Sequence, residues 1–187
     1  MFILFGGHTG ADADNAVSLT EDFFDEKNEI FCPQTPSKPP FPIIESENDM
    51  SIDEIKGTDL LINSFIKVHK DLYNYQLIIC GFDGGILKKL KDICKKNNVE
   101  SIVKFIDPIW GREKISAYKS ADIFVIPSRY DTMTIVALEA AILATPIIIT
   151  KQCDFNEIKK SNGAVLVNAN TRDISRALKN TLKNKNL

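Results

Sequence analysis

The chain contains no long apolar run and no leader-like beginning. None of its hydrophobic stretches approaches the roughly 18 consecutive apolar residues of a membrane helix. The amino terminus also lacks the basic-then-apolar order of a signal peptide. These absences argue against a transmembrane segment, and we expect the cytoplasm as the compartment.

Cysteine is sparse, and its spacing does not fit a metal site. The four cysteines are scattered along the chain, two of them within apolar strand or helix patterns. We therefore expect buried thiols, in preference to disulfides or a bound metal. The basic residues are not interleaved with aromatic ones, which argues against nucleic-acid binding. The cysteines are Cys32, Cys80, Cys94 and Cys153.

Net charge is almost absent, but the small value of −2 conceals a split along the chain. Residues 1–55 contain 12 acids and only two bases, Lys27 and Lys38. Residues 56–187 carry an excess of bases. A mildly basic region suits an anionic ligand such as a diphosphate, although a solvated lysine-rich surface explains the charge equally well.

The same boundary separates two kinds of sequence. Residues 1–55 open with an apolar strand, Phe2 to Gly7, followed by an acidic, proline-rich stretch that we expect to be an irregular insertion. Residues 56–187 have the regular pattern of one folded domain. The 187 residues allow one ordinary domain and little more.

From Lys56 onward, apolar strands alternate with amphipathic helices. This alternation predicts an α/β domain with a single doubly wound parallel sheet, right-handed crossovers and helices on both faces. Thr58 is the expected amino-terminal cap of the first helix. The predicted strands are QLIICG, SIVKFID, IFVI, IIIT and AVLV, and the helices include LLINSFIKV, ILKKLKDICKKNNV, REKISAYKSAD, about Thr132 to Leu143, Phe155 to Lys160, and ISRALKNTL.

Two acids mark the candidate site. Asp131 follows the strand Ile123 to Ile126, and Glu139 lies eight positions later in the next predicted helix. Ligands of open α/β sheets bind where parallel strands end. In one continuous helix, eight residues rise about 12 Å, which suits gripping an extended ligand better than acid–base catalysis on one bond. A helix-capping role is the simpler interpretation of Asp131 alone.

The segment PSRYDTMTIVALEAAILATPIII resembles the signature region of the family 4 (group 1) glycosyltransferases of GT-B fold. Lys56-Gly57, which opens KGTDLLINSF, is similar to the Lys-Gly pair that begins the first helix of the same family domain. The strands and helices up to about Leu182 follow the family's order. The resemblance implies a Rossmann-like donor-binding domain, which is one half of a GT-B enzyme.

That family transfers a sugar from a nucleotide-diphosphate donor to an acceptor with retention of configuration. By resemblance, Glu139 would accept hydrogen bonds from the ribose hydroxyls, and Asp131, the candidate catalytic residue, would hold the donor sugar. Lys56 would neutralise the diphosphate. The remaining donor-binding candidates are Arg129 and the backbone N–H groups near Met133 and Thr134. The resemblance implies no cofactor and no metal, because the cation and the helix dipole would meet the leaving-group charge.

The chain departs from the family pattern at several positions. Asp131 replaces the usual Glu, Met133-Thr134 replaces Phe-Gly, and the family's phosphate-binding Arg before the lysine is missing. There is also no room for the preceding acceptor-binding domain, so we expect that domain as a partner domain or subunit. The alternatives are a degenerate, non-catalytic interaction module and a nucleotide-sugar epimerase of the same fold.

The resemblance leaves the donor base, the sugar and the acceptor open. A role in cell-envelope polysaccharide synthesis is one expectation. A second concerns the lysine-rich face of ILKKLKDICKKNNV, which would allow peripheral contact with an acidic membrane surface, although a solvated face is the simpler interpretation.

Overall fold

A computed structural model describes residues 2–6, 50–72, 74–131, 134–155, 158 and 163–183 of the chain. The strands are β1 (Phe2–Gly6), β2 (Ser51–Ile52), β3 (Tyr75–Cys80), β4 (Phe82–Asp83), β5 (Val103–Ile106), β6 (Ile123–Ile126), β7 (Ile147–Thr150) and β8 (Ala164–Val167). The α-helices are α1 (Thr58–Val68), α2 (Leu87–Lys96), α3 (Gly111–Ser120), α4 (Ile135–Ile142) and α5 (Thr171–Lys183). Short 3₁₀ turns follow α1 at His69–Asp71 and β7 at Lys151–Cys153.

Six strands form the main sheet in the order β5-β3-β1-β6-β7-β8, and β2 pairs with β4 in a separate two-stranded ribbon. The pairs β3–β5, β6–β7 and β7–β8 are parallel, so the predicted doubly wound α/β class is confirmed. β1 differs, because it lies in the centre of the sheet and runs antiparallel to both neighbours. Residues 7–74 separate it from β3, so no short strand–helix–strand crossover fixes its direction.

Helices cover both faces of this sheet, as the alternation predicts. On one face α1, α2 and α5 pack against Leu77, Ile123 and Ile148. On the other face α3 and α4 pack against Phe124 and Ile149. Successive residues of a strand point to opposite faces, so these central strands are apolar on both sides and read as continuous hydrophobic runs.

The helices follow the predicted faces, with one correction at an end. The apolar residues of ISRALKNTL are all buried in α5, and five lysines of the lysine-rich face of the Leu87–Lys96 helix are exposed. Thr58 is not the amino-terminal cap of α1. Gly57 occupies that position in a left-handed conformation, and Thr58 is the first helical residue. The lysines are Lys88, Lys89, Lys91, Lys95 and Lys96.

Some predictions lie outside the described residues. These are residues 7–49, which hold most of the predicted insertion, and most of the helix predicted at Phe155 to Lys160. The end of the predicted insertion is not irregular throughout, because Ser51–Ile52 form β2. Cys80, Cys94 and Cys153 are buried, as expected. Burial raises the pKa of each, that of Cys94 to about 11. Among the helices of the described ranges, none is long and apolar enough to cross a membrane.

Candidate active site

The loop between β2 and α1 is pressed against the turn that follows β6. Gly57 has φ of +70°, a conformation that L side chains rarely adopt. A Cβ placed there would lie 2.1 Å from the carbonyl oxygen of Pro127. The Lys-Gly pair predicted to begin the first helix therefore needs glycine for two reasons, the backbone conformation and the close approach of the neighbouring loop.

This packing brings together two predicted site residues that are 75 positions apart. The Lys56 ammonium donates a hydrogen bond of 3.1 Å to Oδ2 of Asp131. Their side chains are only 18% and 15% exposed, so the pair is partly shielded from water. The Lys56 backbone N–H donates to the Asp53 carboxylate at 2.8 Å, which anchors the loop beside it. A cation and a carboxylate thus lie side by side beyond the carboxyl end of β6.

Arg129 ties the same two loops together. Its guanidinium donates to both carboxylate oxygens of Asp59 at 2.7 Å. Further bonds run from Arg129 to the backbone carbonyls of Glu54 and Ile55. Burial opposes ionisation of Asp59, but the hydrogen bonds and charge of Arg129 outweigh it and lower the pKa of that carboxyl below its usual value of 3.8. The residue predicted as a second phosphate contact is thus bound to the Lys56 loop.

Glu139 contacts a different set of residues, in the layer between α3 and α4. The Lys114 ammonium lies 3.1 Å from one carboxylate oxygen and 2.9 Å from the other. The Tyr118 hydroxyl donates to Oε2 at 3.0 Å. All three side chains are buried, with 2% of Lys114 and 5% of Glu139 exposed. The acid predicted as a ribose ligand is therefore held on both oxygens by groups of α3.

The two acids do not share one helix. α4 begins at Ile135, with Thr134 as its N-cap, so Asp131 precedes the helix. The capping interpretation of Asp131 is wrong for this reason, and the rise of about 12 Å in a continuous helix does not apply. The backbone near Met133 lies outside the described residues. Thr134 is buried at the start of α4, and its hydroxyl has no hydrogen-bond partner among the described residues.

Three residues that contact the candidate site residues were not predicted from the sequence. Lys114 and Tyr118 stand four residues apart and so share one face of α3, but nothing in the sequence connects that face to Glu139, more than 20 positions away. Asp59, the partner of Arg129, reads as an ordinary acid in a helix first turn. Within the described ranges, no three His, Cys, Asp or Glu side chains come together as potential metal ligands.

Known proteins resemble this chain in sequence. Residues 51–187 match the sequence profile of the family described as glycosyl transferases group 1. The chain is 36% identical over 105 residues to a glycosyltransferase of Methanocaldococcus jannaschii. The aligned residues cover 56% of this chain and 26% of that protein. It is 27% identical over 106 residues to a D-inositol 3-phosphate glycosyltransferase of Corynebacterium jeikeium, covering 54% of this chain and 25% of that protein.

Solved structures extend the likeness to the fold. The C-terminal domain of a group 1 glycosyltransferase (LpcC) from Francisella tularensis superposes with a TM-score of 0.65 and 25% identity, over 73% of each chain. WaaG, a glycosyltransferase involved in lipopolysaccharide biosynthesis, superposes with a TM-score of 0.62 and 25% identity, over 71% of this chain and 36% of that chain. The matched part of the chain spans about a quarter of the curated relatives. The chain belongs to the group 1 glycosyltransferases, and its sheet has the fold of their GT-B C-terminal domain.

Proposed function

We propose that this chain is the donor-binding half of a retaining family 4 glycosyltransferase, which takes a nucleotide-diphosphate sugar and passes its glycosyl group to an acceptor held elsewhere. One observation carries the proposal. Lys56 and Asp131, distant in sequence, form a shielded ion pair beyond the end of β6, and α4 begins four residues after Asp131. Cations and helix amino termini are the groups that bind diphosphates in such crevices.

The roles follow from position. Lys56 would face the diphosphate, Asp131 the donor sugar, and Glu139 the ribose. Charge on the leaving diphosphate would be met by Lys56 and the dipole of α4, so the transfer needs neither metal nor cofactor. Arg129 contributes by holding the Lys56 loop in place.

The surrounding context is proposed from the relatives. An amino-terminal domain or subunit would hold the acceptor and close the cleft. The neighbour named for lipopolysaccharide biosynthesis suggests a cell-envelope saccharide as product, made in the cytoplasm. The exposed lysines of α2 would suit peripheral contact with an acidic membrane.

Calorimetry with UDP, GDP and ADP tests the donor site. We expect one of them to bind the wild-type chain, and Glu139→Gln to weaken that binding roughly tenfold, the value of a hydrogen bond to a charged group. Glu100→Ala, at an exposed acid on another surface, is the matched control and should leave the affinity unchanged. If the folded wild-type chain gives no heat with any of the three at millimolar concentration, the donor-site proposal is wrong.

A non-catalytic interaction module is the second candidate, and the internal pairing of the site favours it. Arg129 and Glu139 both bind groups of this chain, as they would in a domain that has kept the fold without the ligand. The same calorimetry separates the two roles, because a module without a donor site gives no heat while remaining folded.

A further inference from the structure

The buried side chains around Glu139 do more than neutralise a charge. We propose that Tyr118 and Lys114 are positioning residues, which orient the Glu139 carboxylate so that it accepts hydrogen bonding from the ribose hydroxyls of a nucleoside diphosphate. This inference rests on the proposed donor function and deepens it, by naming the groups that set the ribose contact.

Geometry is the first support. Lys114 and Tyr118 both approach from α3, one turn apart on the same helix face. The ammonium straddles the carboxylate, at 3.1 Å and 2.9 Å from its two oxygens. The phenol donates to Oε2 at 3.0 Å. Contacts on both oxygens fix the rotation of the carboxylate plane, which a single contact would leave open.

Acceptor capacity is the second support. A carboxylate offers about four lone-pair sites on its two oxygens. The hydrogen bonds from Lys114 and Tyr118 use one site on each oxygen. The ammonium also lies 2.9 Å from Oε2, so Oε2 has two contacts and the open acceptor site is on Oε1. A ribose supplies neighbouring hydroxyl donors for such a site. Glu139 therefore keeps acceptor capacity on Oε1 for a ribose hydroxyl.

Rigidity is the third support. The Tyr118 ring packs edge-on against Phe124 at a centroid distance of 5.0 Å, and its backbone carbonyl accepts a hydrogen bond from Thr145 at 2.8 Å. Only 1% of Tyr118 is exposed. The donors that hold Glu139 thus sit in a packed layer and lose little freedom when a ligand binds. A preorganised acceptor of this kind binds more tightly than a mobile one.

The test compares two ligands, namely whichever of UDP, GDP and ADP binds the wild type and its 2′,3′-dideoxy analogue. Tyr118→Phe keeps the ring contact with Phe124 and removes only the hydroxyl. We expect it to weaken the ribose form about threefold to tenfold, the value of one hydrogen bond, and to leave the dideoxy form within twofold. Tyr75→Phe, at the amino end of β3, is the matched control and should change neither affinity.

The ratio of the two dissociation constants is the decisive readout, because a general loss of structure lowers both affinities together. Lys114→Arg keeps the positive charge but moves it, and should shift the same ratio in the same direction. Equal losses for both ligands, or no loss for either, would overturn the positioning role. A wild type that binds the two ligands equally would refute the ribose contact, and one that binds neither would refute the donor function.

Discussion

Replacing Gly57 by alanine tests whether close loop packing fixes the donor-site geometry. At φ of +70° an L residue costs about 1–2 kcal/mol through backbone strain. The new Cβ would also lie 2.1 Å from the Pro127 carbonyl oxygen, so one of the two loops must move. Overpacking of this kind adds about 1–3 kcal/mol. We therefore expect Gly57→Ala to lower the free energy of unfolding by about 2–5 kcal/mol.

Gly111 offers a matched control. It has φ of +51°, but a Cβ built there would meet nothing within 4 Å. Gly111→Ala should therefore cost only the strain, about 1–2 kcal/mol. Urea unfolding of both variants, followed by circular dichroism with unchanged m values, measures the difference. If the two substitutions cost the same, contact with Pro127 does not explain the need for glycine at position 57.

The same substitution should reach the ligand. Gly57 adjoins Lys56, whose ammonium lies 3.1 Å from Asp131. In enzyme sites, a displacement of about 1 Å can lower the reaction rate about 10²-fold. Affinity for the nucleoside diphosphate should fall in Gly57→Ala and stay unchanged in Gly111→Ala, as measured by calorimetry on samples that are fully folded.

Two further predictions concern the ion pairs. Lys114→Met should lower the free energy of unfolding by about 3–5 kcal/mol, because it leaves the Glu139 carboxylate buried without its cation. Lys119→Met, at an exposed position of the same helix, is the control and should change the free energy of unfolding by no more than about 0.5 kcal/mol. The pKa of Asp59 is lowered in the fold, so its stabilisation is present above its ordinary value of 3.8 and is lost as the pH falls through the folded value. The stability advantage of the wild type over Asp59→Asn should accordingly be about 1 kcal/mol or less at pH 7 and should shrink as the pH falls below 3.8 towards the lowered pKa of Asp59. An advantage that does not shrink as the pH falls would contradict the role of the Arg129 pair.

Much of the fold follows from local pattern. The strand Ile123–Ile126 and the helix Thr171–Lys183 were predictable because buried strands are apolar throughout and amphipathic helices repeat at 3.6 residues. The antiparallel direction of β1 could not be predicted, since the sheet partners of a strand depend on residues far away in the sequence. The Thr58 cap failed for a related reason, because contact with Pro127 selects glycine at the preceding position.

The candidate site divides in the same way. The family resemblance and the candidates Lys56, Asp131 and Glu139 were recognisable from the sequence, because their spacing within strand–turn–helix units is local. Their partners could be identified only in the folded chain. Lys56 meets Asp131 across 75 residues, and Glu139 meets Lys114 across 25. Such pairings depend on how helices and loops pack at the sheet edge, and packing joins residues that no sequence period connects.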